Sequence, residues 1–136
     1  MNENGKTDAM RKVPLFAQLS KRELEQVAAL ADEVEIPAGR VLMQEGDRGR
    51  EFIVLLDGEA DVERGGRHLR TLGRGDFLGE IALVSRVPRT ATVTAKSDLR
   101  ALVITDQGFR SLMASTPEIQ AKVLDAFAER LEPTTL

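Results

Sequence analysis

The chain has 136 residues, of which 42% are hydrophobic, and its 19 basic and 22 acidic residues leave a net charge of −3. A chain of this length forms one domain (1–136) with a core that needs no crosslinks. It has no cysteine, which excludes disulfides, thiolate metal sites and thiol nucleophiles. No apolar run approaches the roughly 20 residues that cross a bilayer, and residues 1–13 lack an apolar signal segment. We therefore expect a cytoplasmic protein that does not bind membranes.

Charge and aromatic content also argue against nucleic-acid binding. Basic and acidic residues are spread along the whole length, whereas a nonspecific nucleic-acid binder presents a basic stripe. Aromatic residues make up 4% of the chain and all are Phe, so few rings are present to stack on bases. We expect no direct nucleic-acid binding.

The first predicted zone is helical and covers residues 8–31. Pro14 separates a short N-terminal turn from the main helix. Ser20 and Glu23 have the spacing of a capping box. Apolar residues then follow at helical spacing: Leu24, Val27, Ala28 and Leu30.

Residues 32–105 read as short strands separated by glycine-containing turns. The clearest turn is Gly65-Gly66, which predicts a two-residue hairpin. Strands this short and evenly spaced indicate an antiparallel barrel or sandwich, and no connection is long enough for a parallel crossover. The predicted fold is mainly β: an antiparallel double-sheet β-barrel, jelly-roll-like, with an N-terminal helix and two C-terminal helices.

The last zone, 106–132, is predicted to hold two helices, with a break at Pro117. Pro is favoured at the first position of a helix. The second helix carries an apolar stripe made of Ile119, Val123, Phe127 and Leu131, joined by Leu124. Residues 133–136 are expected to fray.

One stretch, 77–93, interrupts the strand pattern. Gly79 lets the backbone approach a ligand closely, and a helical turn from Glu80 to Val84 would present unpaired N–H groups to an anion. Arg89 follows beyond a proline-marked loop, where its fork of donors could close on the same anion. Glu80 can accept hydrogen bonds from a sugar hydroxyl. The segment predicts a cradle for a phosphate and its sugar.

This stretch resembles the phosphate-binding cassette of the cyclic-nucleotide-binding domain family, which includes catabolite-activator-type regulators, cyclic-nucleotide-dependent kinases and gated channels. The resemblance rests on Phe77-Leu78-Gly79-Glu80-Ile81-Ala82-Leu83, on Pro88-Arg89-Thr90-Ala91-Thr92-Val93, and on the glycine framework of Pro37-Ala38-Gly39, Gly46, Asp57-Gly58 and Gly75-Asp76. It covers about residues 10–131.

The resemblance implies a role for each matching residue. Gly79, Ile81 and Ala82 would offer backbone amides to the cyclic phosphate, and Arg89 would neutralise it. Glu80 would accept a hydrogen bond from the ribose 2′-hydroxyl. Thr90 would line both the phosphate and the base. Val62 and Leu69 would belong to the apolar wall beside the base.

We expect cAMP as the ligand, because it demands fewer contacts to the base and this chain has few residues to cap one; the hydroxyl of Thr90 keeps cGMP open. Phe127 is the only aromatic candidate to cap the base, and a core position is the alternative. Ligand binding is expected to move the C-terminal helices, which a protein partner or an output domain in trans would read. A homodimer also stays open.

Two other functions compete with this interpretation. A metal-dependent barrel enzyme needs several histidines, and a nucleophilic triad needs partners that the single histidine lacks. We therefore expect no enzyme activity, catalytic residue, metal or cofactor. A degenerate member of the same fold could instead bind proteins without any ligand, although such a member would be expected to lose Glu80 or Arg89 first.

Overall fold

A computed structural model describes the backbone of residues 3–48, 50–79 and 89–135. It also describes their side chains, except those of residues 3–5, 126, 127 and 129–135. Two helices come first: α1 (Glu3–Arg11) and α2 (Lys21–Leu30). Eight strands follow: β1 (Ala31–Ile36), β2 (Val41–Met43), β3 (Glu51–Asp57), β4 (Ala60–Arg64), β5 (Arg67–Leu72), β6 (Phe77–Leu78), β7 (Thr92–Ala95) and β8 (Leu99–Thr105). The last two described helices are α3 (Asp106–Ser115) and α4 (Pro117–Thr135).

The strands form two four-stranded antiparallel sheets, in the orders β1-β8-β3-β6 and β2-β7-β4-β5. The predicted mainly β, double-sheet class with flanking helices is confirmed. Within the described residues the sheets stay separate instead of closing into one barrel. The strand β6 has only two residues, and so short a strand offers few ladder hydrogen bonds with which to join the sheets.

The central strand β3 is buried on both faces. Phe52, Val54 and Leu56 pack into a cluster with the helices, whereas Ile53 and Leu55 pack between the two sheets. Successive side chains of a strand point to opposite faces, so this one apolar run supplies both cores. The Phe52 ring lies 5.4 Å from the Phe77 ring and 4.9 Å from the Phe109 ring, measured between centroids.

The capping box that begins α2 is confirmed. The Glu23 amide donates to Ser20 Oγ at 3.1 Å, and the Ser20 amide donates to a Glu23 carboxylate oxygen at 2.9 Å. Lys6 Nζ satisfies carbonyls at the other end of the helix, those of Ala28 and Ala31, at 2.8 and 2.7 Å.

The helical zones differ from the prediction at their boundaries. The N-terminal zone begins at Glu3 instead of residue 8 and is interrupted by turns at 12–19, and β1 already starts at Ala31. Hydrogen bonds between residues three apart hold these turns, as from the Val13 amide to the Met10 carbonyl at 2.9 Å. The helix α4 starts at Pro117 as predicted but runs to Thr135, beyond the predicted end at 132 and through the tail that was expected to fray.

Two predicted members of apolar helix stripes are exposed. Leu30 is 39% exposed and Leu124 is 47% exposed, whereas Ile119 and Val123 are buried. Helical spacing places residues on one side of a helix, but the neighbouring elements decide how wide the covered stripe is. The side chains of Phe127 and Leu131 lie outside the described residues.

The connection through Phe52 makes a testable prediction about stability. Phe52→Ala should lower the free energy of unfolding by about 3–5 kcal/mol, because it empties the space between three elements. Leu124→Ala, at an exposed site, is the control and should change it by about 0.5 kcal/mol or less. Denaturant unfolding measures both, and equal effects of the two substitutions would contradict the packing described.

Candidate functional site

Arg89 is a buried cation held by main-chain oxygens from two separate segments. Its side chain is only 8% exposed. Nη1 donates to the Gly79 carbonyl at 3.1 Å, and Nη2 donates to the Glu51 carbonyl at 2.8 Å. The guanidinium is charged at all physiological pH values, so these contacts fix the direction of a permanent positive charge.

The backbone of Arg89 is also fixed, by the turn between β2 and β3. The Arg89 amide donates to the Asp47 carbonyl at 2.7 Å, and the Arg89 carbonyl accepts from the Gly46 amide at 2.9 Å. Gly46 belongs to the glycine framework on which the family resemblance rests. Its amide proves to be part of the support of Arg89.

Gly79 occupies a position that no larger residue fits without movement. Its φ is +98°, and an added Cβ would lie 2.5 Å from the Glu51 carbonyl oxygen and 2.8 Å from Arg89 Nη1. The third obstacle is the Met43 methyl group, also 2.8 Å away. The close approach of backbone and guanidinium therefore requires glycine.

The structure brings Gly79, Arg89 and Thr90 together at one corner of the fold. Thr90 is half-buried directly after Arg89. Glu80, Ile81 and Ala82 lie outside the described residues, so their roles stay predictions.

Val62 and Leu69 lie on neighbouring strands, β4 and β5. Val62 is buried and pairs with Val93 of β7, four residues after Arg89. Leu69 is 45% exposed, and it is the residue without a partner where the β4–β5 register shifts between the Val62–Arg70 and Glu63–His68 pairs. Val62 is thus held in the core between the sheets, whereas Leu69 leaves much of its surface free to contact another molecule.

A polar cluster on β4 and β5 lowers one pKa. The Thr71 hydroxyl donates to Asp61 Oδ1 at 2.9 Å, and this bond is the main reason why the pKa of Asp61 lies below its usual value. His68 lies 3.4 Å from the same oxygen and acts in the same direction. Asp61 adjoins Val62 and so points to the opposite face of β4, away from the core between the sheets.

The described residues offer neither a metal site nor a membrane-spanning helix. Among the side chains that the structure describes, no three acidic or histidine groups lie so that they could hold a metal ion. None of the helices within those ranges has both the length and the apolar character that a membrane crossing requires.

The cyclic nucleotide-binding domain model matches residues 33–116 of this chain. This chain belongs to the cyclic nucleotide-binding domain family. The match covers most of β1, all strands from β2 to β8, the helix α3 and every described residue of the Arg89 site.

Two curated relatives and one solved structure illustrate the range of the family. A cAMP-dependent protein kinase regulatory subunit of Aspergillus niger is 33% identical over 115 residues, which is 83% of this chain and 28% of the relative. A candidate potassium channel protein of Rhodopseudomonas palustris is 35% identical over 116 residues, or 82% of this chain and 28% of the relative. The chain therefore spans under a third of the length of these relatives.

The solved structure is described as PKAR CBD2 with Sp-2Cl-cAMPS bound. It superposes with a TM-score of 0.81 at 24% identity and covers 96% of this chain and 89% of that one. At this identity the likeness concerns the fold alone. The helices at both ends of the chain therefore belong to the shared architecture along with the sheets.

Sequence reasoning did not identify the two carbonyls that orient Arg89, nor Met43 beside Gly79. A main-chain oxygen has no side-chain signature, and Glu51 is 38 residues away from Arg89. The available signal was the glycine at 79, since a glycine after a strand often marks a close backbone approach.

The fit at Gly79 makes a second prediction. Gly79→Ala should lower the free energy of unfolding by about 1–3 kcal/mol, because it strains a left-handed backbone and pushes on the guanidinium. Gly73→Ala is the matched control, since nothing lies within 4 Å of the added Cβ and no positive φ is involved. Chemical denaturation measures stability, and the Arg89 Nε NMR signal should shift only in Gly79→Ala. An unchanged signal would contradict the contact.

Proposed function

We propose that this chain is a sensor domain that binds a 3′,5′-cyclic nucleotide and catalyses no reaction. The observation that carries the proposal is the Arg89 guanidinium, which is buried and oriented beside Gly79 in a member of this family. A fork of donors on a fixed cation suits a phosphate. We treat residues 1–136 as one domain with helical ends.

The proposed contacts divide by the part of the ligand they meet. Arg89 binds the cyclic phosphate together with main-chain amides of Gly79, Ile81 and Ala82. Glu80 accepts the ribose 2′-hydroxyl. Thr90 contacts both the phosphate and the base, and Val62 and Leu69 contact the base. The exposed surface of Leu69 is consistent with a wall that a base would cover.

We propose cAMP as the first ligand and cGMP as the second. The relative from Aspergillus niger is named as the regulatory subunit of a cAMP-dependent protein kinase, which supports cAMP. The Thr90 hydroxyl beside Arg89 is a donor and acceptor that could serve the larger set of polar groups on guanine.

The signal is proposed to reach the C-terminal helices through three aromatic rings. Phe77 precedes Gly79 by two residues and contacts Phe52, and Phe52 contacts Phe109 of α3. Movement of the segment after Gly79 would therefore change the packing under α3. A ligand that favours one of two packings shifts their populations.

The receiver of this signal is proposed to be another protein chain or an output domain. Its class is open, because the named relatives include both a kinase regulatory subunit and a candidate channel.

A second candidate function is a protein-interaction module that binds no nucleotide. The observation that favours it is that carbonyls of the chain itself, those of Gly79 and Glu51, already hold the Arg89 guanidinium. An arginine held in this way contributes to the structure even without a ligand. The experiment on Arg89 below distinguishes the two functions.

Removal of the Arg89 side chain should abolish most nucleotide affinity. Arg89→Ala should weaken cAMP binding by about 2–4 kcal/mol, or about 30- to 1,000-fold, because it deletes one side of a buried charged hydrogen bond. Calorimetric titration with cAMP, cGMP and 5′-AMP gives the dissociation constants. Arg67→Ala, an exposed arginine, is the control and should stay within about twofold. Wild-type protein that ignores both cyclic nucleotides at millimolar concentration would support the interaction module instead.

Ligand binding should also change hydrogen exchange in residues 106–131. The expected change is in amide protection of α3 and the first turns of α4, because α3 packs on Phe52. Exchange in β1, on the far side of β8 from β3, serves as the internal reference. If saturating cAMP changes hydrogen exchange around Arg89 but not in residues 106–131, the proposed signal path is wrong and the binding proposal still stands.

A further inference from the structure

The hairpin between β4 and β5 reaches across to the chain that follows Arg89. Arg64, the last residue of β4, is half-buried, and its Nε donates to the Thr90 carbonyl at 2.9 Å. This bond joins residues 26 positions apart. The donor is Nε, which lies nearer to the backbone than the two terminal nitrogens, so the bond restrains the aliphatic part of the side chain as well.

A second residue ties the same hairpin to the same corner from the other side. Glu45 accepts from the Gly65 amide at 3.0 Å through its carboxylate, and its own amide donates to Thr92 Oγ1 at 2.9 Å. Glu45 belongs to the turn that also contains Gly46 and Asp47, the backbone partners of Arg89. Three chain segments therefore converge around Arg89: this turn, the hairpin tip and the start of β7.

These bonds fix consecutive main-chain groups on both sides of the Arg89 side chain. The Arg89 N–H donates to the Asp47 carbonyl, and the Arg89 carbonyl accepts from the Gly46 amide. The Thr90 carbonyl accepts from Arg64 Nε. Because the main-chain groups of Arg89 and the carbonyl of Thr90 are anchored, the direction in which the Cα–Cβ bond of Arg89 points is fixed. A preorganised binding group loses less entropy when its ligand arrives.

We propose that Arg64 is a positioning residue for Arg89, and that it raises nucleotide affinity by holding the Thr90 carbonyl without touching the ligand. The effect on affinity rests on the proposed function, whereas the effect on the backbone does not. The role rests on the Nε hydrogen bond and not on the charge. Lysine has a methylene group where arginine has Nε, so Arg64→Lys should not reproduce the bond.

The binding test compares three variants on the hairpin. Arg64→Met keeps the apolar stem and should weaken cAMP binding about three- to tenfold, the equivalent of one hydrogen bond. Arg64→Lys keeps the charge and should weaken binding to a similar extent. Arg67→Met removes an exposed arginine from the same hairpin and should stay within about twofold. Wild-type affinity in Arg64→Lys would overturn the proposal, because charge alone would then explain the effect.

A double-mutant cycle tests whether Arg64 acts through Arg89. In an Arg89→Ala background, Arg64→Met should weaken cAMP binding by less than about twofold, since residues that act as a unit are not additive. If Arg64→Met weakens cAMP binding as much in this background as it does in the wild-type protein, Arg64 acts on the ligand directly and the positioning role is overturned.

A ligand-free measurement separates this proposal from the proposed function. Hydrogen exchange of the Arg89 amide, which donates to the Asp47 carbonyl, should be faster in Arg64→Met and Arg64→Lys than in wild type and Arg67→Met. If wild-type protein binds no cyclic nucleotide, the proposed function fails, but faster exchange would still support the positioning role. Unchanged exchange in both Arg64 variants would overturn it, whatever the ligand result.

Discussion

The orientation of a single guanidinium organises one whole corner of this protein. A buried cation is costly unless its N–H groups find partners, and Arg89 finds them on carbonyls of β3 and of the residue after β6. Those carbonyls come within reach only because Gly79 has no side chain and because the Gly46–Asp47 turn holds the Arg89 backbone. Gly79 and Arg89, which flank the proposed phosphate-binding residues, are therefore both part of the packed fold.

The same corner depends on a strand that serves two cores. The side chains of β3 alternate between the sheet–sheet interior and the helical layer, and the backbone of its first residue, Glu51, receives Arg89. The site and the C-terminal helices thus share one rigid element. The proposed signal path from the Arg89 site to α3 therefore needs only this one strand between them.

Local patterns predicted local structure well. The capping box at Ser20 and Glu23 follows from spacing within one turn, and Gly65 and Gly66 formed the expected tight turn because both adopt positive φ, 60° and 77°. The two-sheet class followed from short apolar runs between glycines. Each of these features is decided by residues that adjoin in sequence.

Features that depend on distant residues could not be read in the same way. The partners of Arg89 are main-chain atoms whose positions depend on how β3 and β6 pair. The exposure of Leu30 and Leu124 depends on which element covers each helix, and that of Leu69 accompanies a register shift. For Glu80, Ile81 and Ala82 the family resemblance remains the basis of the assignment.

The alternation along β3 has a consequence for how such a domain can diversify. Residues 53 and 55 belong to the sheet–sheet cluster, while 52, 54 and 56 belong to the helical one. A substitution at an odd position would alter the half that carries Val62 and Val93, and its even-numbered neighbour would alter the bed of α3. One seven-residue strand therefore lets natural variation reach the interior between the sheets or the layer beneath the helices through neighbouring positions.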